Sequence, residues 1–130
     1  MRRWLALLGT MVLLLVGPQA AAAASTVKIS LDRNFGTQAV GTTTTHTVTI
    51  VNTGTTSVRF GSIGVSSNDG AFGFPFDSNT CFTPDAFLDP GESCSFDITF
   101  TPLSTGTLRG TTDIAIDNES TILKLRGRGV

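Results

Sequence analysis

The chain has 130 residues, 40% of them hydrophobic and 15% charged, with a formal net charge of −1. That length holds one domain, and apart from Arg2 and Arg3 its charges are scattered singly, leaving no basic stripe to draw in a phosphate backbone, so nucleic-acid binding is set aside. One histidine and two cysteines leave little material for a zinc site or a catalytic triad.

Residues 1–24 have the three zones of a secretory signal peptide. Arg2 and Arg3 form its positive end, and Trp4 to Val16 is an apolar run interrupted by Gly9 and Thr10. Gly17-Pro18 then breaks the helix, and Gln19 to Ala24 offers small residues to a signal peptidase. The run is shorter than the ~20 apolar residues that span a bilayer comfortably; an uncleaved N-terminal anchor is the competing reading. No Cys follows the run, which argues against a lipoprotein, and two arginines alone are weak grounds for a twin-arginine signal. The mature domain is expected over residues 25–130, where seven Lys and Arg face ten Asp and Glu, a net charge of −3. With no second apolar stretch near the C-terminus, it is expected to be soluble, free of the membrane after cleavage, and secreted or periplasmic.

From Ser25 onward the composition turns to Thr, Ser, Gly, Val, Ile and Phe, which suits pleated, half-buried strands. Val27, Ile29 and Leu31 alternate with Lys28, Ser30 and Asp32, and Val48 and Ile50 with Thr47 and Thr49. Asn52-Thr53-Gly54 ends that second strand, and Val58 to Val65 starts the next. There the apolar parity shifts from Val58 and Phe60 to Ile63 and Val65, so Gly61-Ser62 is read as a bulge or bend. Asn68-Asp69-Gly70 and Asp89-Pro90-Gly91 are turns. Cys94, Phe96, Ile98 and Phe100 alternate with Ser93, Ser95, Asp97 and Thr99, the clearest amphipathic strand in the chain. Leu108, Thr112, Ile114 and Ile116 form another inward set, Asp117-Asn118 a turn, and Leu123 and Leu125 a last strand. Around seven short strands in about 106 residues read as a two-sheet sandwich, with a small closed barrel as the alternative.

The segment from Gly70 to Leu88 breaks this regularity, with Phe72, Phe74, Phe76, Phe82 and Phe87 crowded among Pro, Asp and Asn. Either the rings cap one end of the sandwich and bury themselves, or they form an exposed patch that docks a partner or a glycan. Cys81 and Cys94 in an exported chain are expected to form a disulfide, adding roughly 3 kcal/mol in the chain-entropy model. His46 lies near a strand start and reads as a half-exposed rim residue. Asp85, Asp89 and Glu92, and Asp113, Asp117 and Glu119, lack the D-x-D-x-D-G spacing of a calcium loop and read as solvated turn carboxylates. No catalytic residue, metal or cofactor is expected.

Several phrases stand in an order that chance does not supply. They run from Asp32 through Phe35-Gly36 to Val40-Gly41, then Thr47-Val48-Thr49-Ile50-Val51-Asn52-Thr53-Gly54. Cys81 follows, then Leu88-Asp89-Pro90-Gly91-Glu92-Ser93-Cys94, Ile98-Thr99-Phe100-Thr101-Pro102 and Gly106. This pattern resembles the choice-of-anchor D domain of exported bacterial proteins and, more distantly, the immunoglobulin-like modules of abnormal spindle protein, hydin and major sperm protein. The resemblance implies an all-β, immunoglobulin-like antiparallel β-sandwich of seven to eight strands and no enzyme activity. Gly41, Gly54 and Gly91 are then expected at turns that need a positive φ or leave no room for a side chain. The expected function is a non-catalytic exported structural or protein-interaction module, whose partner is an unidentified protein or a second copy. A carbohydrate- or calcium-dependent adhesion module is the alternative, motivated by the Phe-rich segment and the turn acids.

Overall fold

The structure, a computed structural model, describes residues 27–67, 69–82 and 87–130. The expected signal segment therefore lies outside the described residues, as do Asn68 and Asp85. Nine strands form among the described residues: β1 (Val27–Ser30), β2 (Asn34–Gln38), β3 (Thr44–Asn52), β4 (Val58–Ser67), β5 (Phe72–Gly73), β6 (Phe87–Leu88), β7 (Ser93–Phe100), β8 (Gly106–Ile116) and β9 (Glu119–Gly129).

They form two sheets, one in the order β1-β3-β7-β5 and the other β2-β9-β8-β4-β6. Each sheet keeps its own two edges, so the fold is a sandwich and the closed barrel falls away. The inward set of β7, Cys94, Phe96, Ile98 and Phe100, packs with Val48 and Ile50 of β3 against Val58 and Phe60 of β4, Ile114 and Ile116 of β8 and Leu125 of β9. Phe96, Ile98 and Phe100 are fully buried, and nearly all of their apolar surface is withdrawn from water, the main favourable term in holding the sheets together.

The expected bulge in β4 is present: Phe60 pairs with Ile116 and Ser62 with Ala115, leaving Gly61 as the extra residue. At the β8–β9 hairpin Ile116 pairs with Glu119, and the two residues between them, Asp117 and Asn118, have φ of 50° and 68°. A two-residue hairpin loop demands such angles at both positions, and Asp and Asn tolerate them better than most residues. Gly41 and Gly91 also have positive φ, 88° and 86°, each at the third position of a four-residue turn closed by the following amide. Gly54 is held differently, its N–H donating to Asn52 Oδ1 at 2.9 Å.

One pairing corrects the expectation of a purely antiparallel arrangement. β2 runs parallel to β9, matching Asn34 to Arg126, Thr37 to Arg128 and Gln38 to Gly129. β2 lacks a clean alternation, and its place is set by hydrogen bonds made outside the strand. Gln38 Nε2 donates to the carbonyls of Thr42, at 2.5 Å, and Phe100, at 3.1 Å, and its Oε1 accepts from Thr44 Oγ1. Those bonds tether the end of β2 to the opposite sheet, while its strand pairing among the described residues is with β9.

Candidate functional site

The Phe-rich segment begins as a core strand and ends at the surface. β5 pairs Phe72 with Phe100 and Gly73 with Thr99, so Phe72 points inward. Its ring stacks on Phe100 at 4.8 Å and meets Phe35 edge-on at 5.4 Å, and it is 5% exposed. Phe72 therefore leaves the candidate interaction patch, because strand pairing with β7 commits it to the core.

Beyond β5 the rings step outward. Phe74, half-buried, meets the buried Phe96 edge-on at 5.4 Å, and Phe76 meets Phe74 edge-on at 5.7 Å. Phe82, half-buried, lies 6.2 Å from Phe76. Edge-to-face contacts of this kind add about 0.5 to 1.5 kcal/mol beyond area burial. They hold Phe76 in place while leaving it 62% exposed. Phe87 is exposed too, but it sits on β6 in the other sheet, opposite Arg59, whose guanidinium lies 5.7 Å from its ring centre. The five rings thus divide into one core residue, a contiguous trio and one ring on another edge.

Local bonds explain why an irregular segment can hold the trio. Asn79 Oδ1 accepts from the amides of Cys81 and Phe82, both at 2.8 Å, and fixes the turn after the short 3-10 stretch at residues 76–78. The Thr80 amide donates to the Ser95 carbonyl at 2.8 Å, and the Ser95 amide donates back to Thr80 Oγ1 at 2.8 Å. The Cys81–Cys94 disulfide, with Cα atoms 5.0 Å apart, fastens the same segment to β7.

His46 is a half-buried rim residue. Its Nδ1–H donates to the Asp32 carbonyl at 2.7 Å, and its ring stacks on Phe35 at 4.1 Å. That bond fixes the tautomer and orientation of the ring. The turn carboxylates are engaged locally. Asp89 Oδ1 accepts from Ser57 Oγ at 2.5 Å, Glu92 Oε1 from the Asp89 amide at 2.8 Å, and Asp117 Oδ1 from the Arg59 amide at 2.9 Å. Asp113 and Glu119 are exposed on β8 and β9. Among the described residues, no three His, Cys, Asp or Glu side chains are grouped to hold a metal ion.

Sequence reasoning missed Asn52. It is fully buried and its Nδ2 donates to the carbonyls of Thr56 and Leu88, both at 2.8 Å. The only signal for it was a turn-like phrase, Asn52-Thr53-Gly54, at the end of β3.

The family model of the HYDIN/CFA65/VesB-like Ig-like domain matches residues 27–128. No curated protein sequence matches the chain. Among solved structures, the secreted serine protease VesC from Vibrio cholerae aligns with a TM-score of 0.63 at 17% identity, over 79% of this chain and 23% of the protease. The chain thus spans less than a quarter of that protein. The ASH/PapD-like domain 7 of human CEP192 aligns at 0.57 with 20% identity, over 89% of this chain and 93% of the domain. A protein of unknown function from Porphyromonas gingivalis W83 aligns at 0.62 with 19% identity, over 85% and 49% of the two chains. At these identities the likeness is one of fold: an immunoglobulin-like sandwich.

Proposed function

We propose, since the chain belongs to the family of HYDIN/CFA65/VesB-like Ig-like domains, that it is a non-catalytic protein-interaction module working beyond the cytoplasmic membrane. The observation that carries this reading is the outward step of rings from Phe96 through Phe74 to the exposed Phe76. An aromatic side chain held rigidly from below and open above gives contact area at little cost in entropy, as binding surfaces use it. Within the family, the phrases from Pro90 to Pro102 favour a choice-of-anchor D type of domain.

The extracytoplasmic location is supported by the disulfide, by the signal-like residues 1–24, and by the likeness to a protease described as secreted. Cleavage near Ser25 would leave β1 intact, because that strand starts at Val27. The partner is a protein or a second copy of the chain. The same exposed ring could stack on a sugar face, which keeps glycan binding as the second reading; calorimetry with cell-wall glycans, with and without calcium, addresses it.

The test is a photo-crosslinking side chain at position 76 in cells, with one at the exposed position Thr45 on β3 as the control. A crosslinked protein specific to position 76 is expected, and Phe76→Ser should abolish its co-purification while lowering stability by only about 0.5 to 1.5 kcal/mol, the share of its ring contacts. A crosslink pattern identical at both positions would refute the reading.

A further inference from the structure

Cations that stand apart in the sequence are gathered by strand register. In the β8–β9 ribbon Arg109 stands opposite Arg126, Thr111 opposite Lys124 and Thr107 opposite Arg128. Opposed residues of an antiparallel pair share a side, and these face outward, since the residues of opposite parity are half-buried (Leu108, Gly110) or buried (Thr112, Leu125, Gly127). Ser66 of β4 extends the row, opposite Thr111 with the two hydroxyls 3.1 Å apart. Asn34 and Thr37 of β2 flank Arg126 and Arg128. Four of the seven cations beyond residue 24 thus share one face of a chain whose mature charge is negative.

All four are exposed, and none has an ion-pair partner among the described residues. The nearest acid along the ribbon is Asp113, one row beyond, opposite the exposed Ile122. A shallow cleft of about 400 Å³, lined by Ser66, Ser67, Arg109, Thr111 and Lys124, opens on this face. Like charges directly opposed across a ladder are destabilising in the free protein, and an anion laid across them reverses the sign.

We propose that this sheet face binds an extended, acidic segment of a protein partner. The proposal rests on the reading of the chain as an interaction module and names the chemistry of its partner. Lys124, Arg126 and Arg128 recur at every second residue of a strand, roughly 6.7 Å apart. Acidic side chains at every second residue of an extended peptide recur at that same interval. Guanidinium forks take carboxylates through two parallel hydrogen bonds, and three of the four cations are arginines. The hydroxyls of Ser66, Thr107 and Thr111 lie between them as further donors. No residue of this array is aromatic, so it lacks the stacking platform by which single-stranded nucleic acids are held.

The test is fluorescence anisotropy of the intact protein with a labelled peptide of alternating Glu and Ser, about ten residues long, over a range of salt concentrations. Saturable binding that weakens as salt rises is expected. It should fall by roughly tenfold or more in the Arg109→Gln/Arg126→Gln variant, and stay unchanged in Lys28→Gln, which lies on β1 of the other sheet. The double variant should melt no lower than the parent, because an opposed like-charge pair has been removed. Arg128→Gln, whose cross-strand neighbours Thr107 and Thr37 carry no charge, gives a second reading with a smaller loss of binding. Lack of saturable binding by the parent at low salt overturns the proposal, as does undiminished binding by the variants. A sulfated polysaccharide that binds where the peptide does not overturns it as well. None of these results bears on crosslinking from position 76, so failure here is distinguishable from failure of the interaction-module reading.

Discussion

Asn52 satisfies three backbone groups at the point where β3 ends under the opposite sheet. Besides the Thr56 and Leu88 carbonyls, it serves the Gly54 amide through Oδ1, and its own backbone exchanges bonds of 2.9 and 2.8 Å with Glu92 and Gly91. A leucine there would match its bulk but would take from the Thr56 and Leu88 carbonyls and the Gly54 amide the side-chain partner that Asn52 gives them. Stability is expected to drop by about 2 to 3 kcal/mol in Asn52→Leu, read from urea unfolding. The sequence marks Asn52 as a turn former, since Leu88 lies 36 positions away and nothing in the local pattern joins them. Gly127 and Gly129 are illegible for a related reason. They look like breakers at the chain end, yet both face inward on β9, where a Cβ at Gly127 would stand 2.4 Å from the Phe100 ring and one at Gly129 2.2 Å from the Ser104 carbonyl. Their role belongs to close approach between layers, which only the assembled sheets define.

At the scale of elements, period-2 alternation made β3, β7 and β8 readable, because each has one face on the core and one toward water. The bulge in β4 was readable from a break in the same parity. β2, β5 and β6 were not: β2 buries only Phe35 and has no alternation, and the two residues each of β5 and β6 are too few to show a period. Their positions come from tethers outside themselves, and for residues 74–82 the tether is the Cys81–Cys94 bond with the Thr80–Ser95 amide pair. Replacing both cysteines by serine is expected to cost about 3 kcal/mol in thermal or denaturant unfolding, with the remaining sheet intact. The loosening should concentrate beside the clamp, so the amides of Thr80 and Ser95 should lose hydrogen-exchange protection first. A uniform loss over both sheets would show the bond to be a global brace instead.

Across the whole molecule the strand order has the domain's last segment in an interior position. β9 lies between β2 and β8, so residues 119–129 complete a sheet that begins at residue 34. Most of the pairing is therefore non-local, which slows folding through loop closure. A chain cut after Lys124 should lack a cooperative thermal transition by circular dichroism, although every other strand is present. A sharp transition in that fragment would contradict the central role of β9. The cation-bearing face has the same origin: Arg109 and Arg126 are 17 positions apart and become neighbours only when this ribbon closes. The position of β9 also bears on biogenesis. A polypeptide delivered amino-end first leaves the side of Phe100 that Gly127 covers open until residues 119–129 emerge, a window in which a chaperone can capture it or a neighbouring chain can donate the missing strand.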